Sequence, residues 1–414
     1  MSDDVTNAFV VVRCPKRYTQ RIMKEISDIG ARSSLPTLGT IDNYTFIPLS
    51  NDIDDHHRHI IENIDNASSI TFHIFPSIES FLVAHSEQLD QRAITALGPT
   101  SPVGPRDRLI HYLRENVRNF DENDVEHVPL GWERLGHVVV IHKLSEEFPY
   151  ATEMAEGMLK VIPGCRTVVE DLDGIHGELR QPSIRILRTT LPEGRETKVR
   201  HVENGIVYNL DVSEVMFASG NGTERMHFSN LRLDGEVVVD MFAGIGYFSA
   251  PLAARSNAEK IISIEKNPLS HRWLVQNLSE NQGRSQIVPL LGDNREQGEL
   301  YIGTSDRVLM GYIPTPVDFI PRAFSFLKPR GGVIHYHHVC HREEYRKMAA
   351  QHVTRGLLLW LGVTPAADET ESIGEGQWTV EGYEIEIVAF RTVKNYAPKL
   401  FHCVADVKVT NTRS

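Results

Sequence analysis

Residues 235–250 read GEVVVDMFAGIGYFSA, and the fold turns on how this stretch is read. Val237, Val238, Val239 and Met241 surround Asp240. An apolar run this short and continuous reads as a strand buried on both faces, the centre of a parallel sheet. A glycine-rich turn follows, Ala243-Gly244-Ile245-Gly246, and then a helix-like run over 248–254. Glycines let the backbone turn sharply and approach a ligand closely, and the helix behind them points its amide-rich end at that ligand. Gly244 is therefore a candidate contact. The turn is GxG without the third glycine of the dinucleotide fingerprint, so its chemistry must come from its neighbours.

Those neighbours repeat the pattern. Residues 260–264 form a second strand that ends in Glu265, about 20 residues beyond the glycines, where doubly wound folds place an acid on the ribose hydroxyls. Asn267-Pro268 opens a helical run over 269–281, with Trp273, Leu274 and Leu278 on one face. A third strand, 286–291, delivers Gly292-Asp293-Asn294, and a fourth, 306–310, ends in Gly311-Tyr312-Ile313-Pro314. A fifth, 332–336, follows the KPRGG turn at 328–332. This alternation predicts a parallel α/β sheet with polar groups converging at the strands' carboxyl ends. A carboxylate for a ribose and an Asp293-Asn294 pair for an adenine describe a nucleoside site. No GKS or GKT follows a glycine-rich loop, which excludes a P-loop, and a nicotinamide dinucleotide would prefer the full GxGxxG. S-adenosyl-L-methionine, with no phosphate to cradle, fits better.

At 414 residues the chain is long enough for two or three domains. No run of eighteen apolar residues appears, so no membrane span is expected. The beginning, MSDDVTNAFVVVRC, is acidic and lacks the basic region of a signal peptide. Cys14, Cys165, Cys340 and Cys403 lie far apart with no CxxC, as reduced, buried thiols of a cytoplasmic protein would. The net charge of −12 argues against a nucleic-acid partner until its distribution is considered. Acid gathers at Asp52, Asp54 and Asp55, at Asp121, Glu122, Asp124 and Glu126, and over 368–375. Arg180, Arg185, Arg188, Arg195, Lys198 and Arg200 face only Glu193 and Glu196, a local excess suited to a phosphate backbone.

Three regions result: an N-terminal α+β region over 1–148, a small α+β domain over 149–230, and a nucleoside-binding sheet domain over 231–414. The first shows strand patterns at 9–12, 45–48 and 69–75, helical ones at 18–29 and 106–120, and no catalytic constellation. In the second, an amphipathic run at 150–161 precedes a strand at 165–170. A turn-rich insertion at 174–182 and short strands at 184–187, 197–202, 206–210 and 214–217 follow. The segment MFASGNGTER, 216–225, is a second chemical hotspot, because it sets a cation, Arg225, just upstream of the nucleoside site. Arginine there suits a two-pronged grip on a cofactor carboxylate.

No metal is expected. His56, His57 and His59 lack supporting ligands, and strand alternation splits the HYHHVCH run at 335–341 between two faces. A substrate-facing histidine or aromatic at the end of the fifth strand suits that run better. Residues 383–392 and 402–409 read as paired last strands of the sheet.

From Asp173 onward the chain resembles a known group. It is similar to the family of tRNA guanine-N1 methyltransferases of position 37 and wybutosine-synthesising aminocarboxypropyltransferases. The resemblance rests on GELRQP, NGIVYNLDVSEVMFASGNGTER, VVDMFAGIGYFS, IEKNP, GDNRE and NYAPKLFHCVADV. Gly220-Asn221 stands where the methyltransferases carry Arg-Leu, and Gly311-Tyr312-Ile313-Pro314 replaces their Asn-Leu-Pro; both favour the aminocarboxypropyl branch. The resemblance implies a Rossmann-like class I methyltransferase sheet and S-adenosyl-L-methionine as cofactor, held by Ala218, Arg225, Glu265, Asp293 and Asn294. It also implies transfer of the 3-amino-3-carboxypropyl group to 4-demethylwyosine in the anticodon loop of tRNA-Phe, with methyl transfer to guanine at position 37 or a non-catalytic tRNA-binding module as the alternatives. The family can have serine at Ala218, so only backbone contact remains here, and lysine at Arg225, which keeps the charge. Tyr247, Tyr312 and Tyr336 are candidates to stack the acceptor base. No general base is evident in the sequence.

Overall fold

The computed structural model describes residues 9–15, 19–28, 40–41, 44–49, 70–75, 104–145, 148–177, 179, 181–365 and 376–413. The histidines at 56, 57 and 59 and the acidic stretch at 368–375 lie outside them. The chain divides into two compact units, Met1–Met216 and Phe217–Ser414.

The first unit opens with β1 (Phe9–Pro15), α1 (Thr19–Asp28), β2 (Thr40–Ile41), β3 (Tyr44–Pro48) and β4 (Thr71–Phe75). The strands lie in the order β2-β3-β1-β4, every neighbour antiparallel. Val10, Val12 and Cys14 alternate onto the face that meets Ile22 and Ile26 of α1. Next come α2 (Pro105–Asn116), β5 (Glu133–Leu135), β6 (Val138–His142), α3 (Ala151–Val161), β7 (Thr167–His176) and β8 (Gln181–Thr189). The strands β5-β6-β7-β8 form one sheet, and α2 and α3 bury Leu109, Leu113, Met154 and Met158 against Val139, Ile141 and Val168. Because β6 and β7 pair in parallel, the boundary read at 148/149 falls inside this sheet. The insertion read at 174–182 is instead the end of β7 turning into β8, with Ile175 opposite Pro182. A hairpin of β9 (Lys198–Glu203) and β10 (Ile206–Asp211) turns through Asn204-Gly205, both at positive φ, as a tight two-residue hairpin requires. The strand read at 214–217 is turn and irregular chain.

The second unit begins at the hotspot. Its elements are α4 (Gly222–Asn230), β11 (Val237–Asp240), α5 (Ser249–Arg255), β12 (Lys260–Glu265), α6 (Pro268–Glu280), β13 (Gln286–Leu291), β14 (Arg307–Met310), α7 (Ile320–Phe326), β15 (Gly331–His341), α8 (Tyr345–Trp360), β16 (Gln377–Val380), β17 (Tyr383–Ala397) and β18 (Leu400–Asn411). The sheet order is β13-β12-β11-β14-β15-β18-β17-β16. The first five strands are parallel, and β18, β17 and β16 add on antiparallel. Chain order runs outward from β11 to β13 and then returns to β14 on β11's other side. Such a reversal opens a crevice at the carboxyl ends of β11 and β14. Val238, Val239, Ile261, Ile262, Val308 and Leu309 are fully buried, as strands covered on both faces must be. The α/β class and the paired last strands were correctly anticipated; β15 runs five residues beyond its predicted end.

Candidate active site

The glycine turn sits at the tip of β11, with Gly244 at φ +57° and Gly246 at φ +96°. A Cβ on Gly244 would lie 2.7 Å from the Tyr247 ring, so both the dihedral and the space call for glycine. Beneath the turn, Asp240 is fully buried. It accepts the Ser249 hydroxyl at 2.7 Å and the Phe242 N–H at 3.3 Å, and burial pushes its carboxyl up to about 6. Asn277 of α6 donates to the Ile245 carbonyl at 2.9 Å and pins the turn from the side.

Glu265 closes β12 against this turn. One carboxylate oxygen accepts the Gly244 N–H and the other the Asn267 N–H, each at 2.7 Å. Asn267 in turn caps α6 through the Leu269 N–H at 2.9 Å. At the end of β13, Asn294 is 5% exposed. Its amide donates to the Met241 carbonyl at 2.8 Å, tying this tip to that of β11, while its Oδ1 is buried without a hydrogen-bond partner. Asp293 pairs with Arg295, whose Nε lies 2.9 Å away, and with Lys266 at 3.1 Å. The Arg295 hydrogen bonds hold its carboxyl well below the usual carboxylate range. Gly244, Glu265, Asp293 and Asn294 are thus gathered at neighbouring strand tips.

The hotspot is arranged otherwise than its sequence suggests. Arg225 is 1% exposed, and its guanidinium stacks 4.6 Å over Phe217. It donates to the Ala218 carbonyl at 2.6 Å and the Ser219 carbonyl at 3.3 Å. The arginine therefore shapes the loop that carries Ala218, and its position in the sequence alone did not reveal that inward turn. Next to it, the Glu224 carboxylate is held by both ends of the Arg391 fork, at 2.8 and 3.0 Å, and Arg391 also clasps Asp406.

Three of the four histidines of β15 are buried away from any ligand, His335, His337 and His338 at 0–1% exposure, and only His341 at the strand's end is exposed. His335 donates to Asp406 at 2.6 Å and accepts from Arg307, and His337 shares a hydrogen bond with His402 at 3.0 Å. Tyr336 is also buried, its hydroxyl bonded to Thr315 and His352, so it is no stacking platform. Tyr247 and Tyr312 are half-buried. No group of three or more metal-ligating side chains occurs among the described residues, and no helix among them is long and apolar enough to cross a membrane.

Sequence reasoning missed Asp240, Asn277 and Arg391 as site supports. For the first two a signal existed, a polar residue within an apolar strand and on an apolar helix face. Arg391 gave none, because its partner Glu224 lies 167 residues away in the chain.

Residues 199–355 match the family profile of the TRM5/TYW2 methyltransferase domain, and residues 113–188 that of the TYW2 N-terminal domain. The chain is 34% identical over 293 residues to a tRNA(Phe) (4-demethylwyosine(37)-C(7)) aminocarboxypropyltransferase of Pyrococcus horikoshii, covering 70% of this chain and 94% of that protein. The chain belongs to the TYW2 family. A solved TYW2 of P. horikoshii in complex with MeSAdo matches with a TM-score of 0.58 and 30% identity, over 74% of this chain and 99% of that one. Beyond TYW2, the fold is shared with Trm5b of Pyrococcus abyssi, at a TM-score of 0.57 and 23% identity over 97% of this chain and 99% of that one. The Rossmann-like class I sheet inferred from the motifs is the fold of these TYW2 and Trm5 structures.

Proposed function

We propose that this TYW2-family chain is an S-adenosylmethionine-dependent transferase. It moves the 3-amino-3-carboxypropyl group to carbon 7 of 4-demethylwyosine at position 37 of tRNA-Phe, with methylthioadenosine as the other product. The observation that carries this reading is the convergence of the strand tips: Glu265 locked to the glycine turn at 2.7 Å and Asn294 bridging to Met241 at 2.8 Å.

The donor set suits an adenosyl group. Glu265, held by the Gly244 and Asn267 N–H groups, stands at the tip of the second strand, where doubly wound folds place the acid that takes the ribose hydroxyls. The unpartnered Oδ1 of Asn294 is an acceptor for an adenine amino group, and leaving it unpaired costs free energy. When bound, S-adenosylmethionine supplies a sulfonium with three activated carbons, and its orientation decides which one is transferred. The protein's contribution is then largely placement. Glu265 and Asn294 fix the nucleoside end, and the Ala218 loop, drawn in by Arg225, borders the amino-acid end. The anticodon loop is the RNA element to be bound, because position 37 must be presented as an unstacked base. Residues 149–230 are assigned a tRNA-contact role, with Arg195 and Lys198 exposed among them. A cytoplasmic location belongs to the same proposal.

Cofactor labelled separately in the carboxypropyl arm and in the methyl group tests the reading. Label from the arm, with the matching mass increase in tRNA-Phe, is the expected result. Retention of methyl label alone would assign the chain to guanine methylation instead.

A further inference from the structure

Three aromatic side chains meet at the carboxyl ends of β11 and β14, where the crevice opens. Phe242, two residues beyond Asp240, lies 5.3 Å from Tyr312 with the rings 31° apart, and 5.1 Å from Phe319 edge-on. Tyr312 and Phe319 are 6.4 Å apart. All three are half-buried, and Phe242 and Phe319 pack on the sheet's core from its rim. Arg295, two residues beyond Asp293, lays its guanidinium 5.2 Å over the Phe319 ring while pairing with Asp293. The Tyr312 hydroxyl makes no hydrogen bond among the described residues, whereas that of Tyr336 makes two. A tyrosine kept for a hydroxyl contact within the fold would look like Tyr336. Tyr312 instead presents a ring.

We propose that the flat acceptor base stacks on the Tyr312 ring, which Phe242 and Phe319 brace at 31° and 54°, with the Arg295 guanidinium alongside on Phe319. We further propose that a tricyclic base, long enough to reach past Tyr312 to the neighbouring Phe242 and Phe319 rings, is favoured over guanine. This inference rests on the acceptor assigned above. Stacking on aromatic faces and on a guanidinium plane is how single-stranded RNA bases are held, and its strength grows with the overlapping area. Asn294, beyond the end of β13, donates to the Met241 carbonyl at 2.8 Å next to Phe242, so the rings stand beside the adenosyl contacts and at the place where an acceptor has to arrive.

The test uses the full chain, S-adenosylmethionine, and tRNA-Phe carrying either 4-demethylwyosine or guanine at position 37. Replacing Tyr312 by Leu keeps apolar volume and removes the π face. The KM for the 4-demethylwyosine tRNA is expected to rise about tenfold, in line with the loss of one base–aromatic stack, and Tyr312→Phe to recover most of it. The Kd for S-adenosylmethionine should stay within about twofold for both variants. In direct binding, Tyr312→Leu should also narrow the preference for the tricyclic over the guanine tRNA. An unchanged KM overturns the proposal, and so does a loss of S-adenosylmethionine binding that matches the loss of tRNA binding, because the rings would then hold adenine. If the functional reading itself fails, wild type adds no carboxypropyl group to the 4-demethylwyosine tRNA, a result seen before any variant is made.

Discussion

At the scale of single residues, the site depends on two carboxylates with opposite surroundings. Glu265 receives backbone N–H groups from Gly244 and Asn267, each at 2.7 Å. In Glu265→Gln one of these donors meets an NH2 group, so the turn loses a charge-assisted bond worth roughly 1.5–3 kcal/mol. Calorimetry is expected to show S-adenosylmethionine affinity reduced by at least about tenfold; affinity within about twofold of wild type would remove Glu265 from the site. Asp240 is buried and its carboxyl is raised from 3.8 to about 6, chiefly by desolvation. The folded state therefore binds more protons than the unfolded state across that window. The stability associated with Asp240 is fully present below the unfolded value and is lost as pH rises through about 6. Asp240→Asn does not titrate, so its stability relative to wild type should improve as pH is raised through that window. Two pKa units correspond to roughly 3 kcal/mol, and urea denaturation at a series of pH values checks the trend.

Among the elements, α4 is fastened to β17 and β18 by charge. Arg391 on β17 holds the buried Glu224 of α4 and Asp406 of β18, and Asp406 receives His335 of β15. Hydrogen bonds and attraction from His335 and Arg391 outweigh burial and keep the Asp406 carboxyl low. Removing one partner from such a cluster leaves buried charges uncompensated. Arg391→Met is expected to destabilise the protein by about 3–5 kcal/mol in urea unfolding, more than Arg391→Lys, which keeps the charge but not the fork. A loss under about 1 kcal/mol would show that α4 is held by packing alone. Most elements of the sheet unit were legible beforehand, since β11, β12 and α6 follow apolar periodicity that burial enforces. The strand read at 214–217 failed because local propensity cannot distinguish an edge-like run from the irregular chain that enters the hotspot.

For the molecule as a whole, the net charge of −12 is compatible with an RNA partner only if cations are locally concentrated. The structure thins the cationic run, because Arg185 is spent on Glu170 and Arg188 on Glu156. Arg195 and Lys198 stay exposed. Replacing both by Gln should weaken tRNA binding without changing base preference. It should also reduce the slope of log affinity against log salt by about one to two, read from binding at several salt concentrations. An unchanged slope would place the phosphate contacts elsewhere.

What the sequence determined by itself was the succession of parallel strands along the chain from Val237–Asp240 onward and the identity of the residues at their tips. Apolar periodicity and glycine placement are local physics, carried by neighbours in the chain. Tertiary structure alone decided that Arg225 turns inward onto Ala218 and Ser219, that His335, His337 and His338 of β15 are core, and that Arg391 reaches Glu224. Arg391 and Glu224 lie 167 residues apart, so no short window of sequence contains both, and although Arg225 is close in sequence to Ala218, its burial depends on what the fold packs around it.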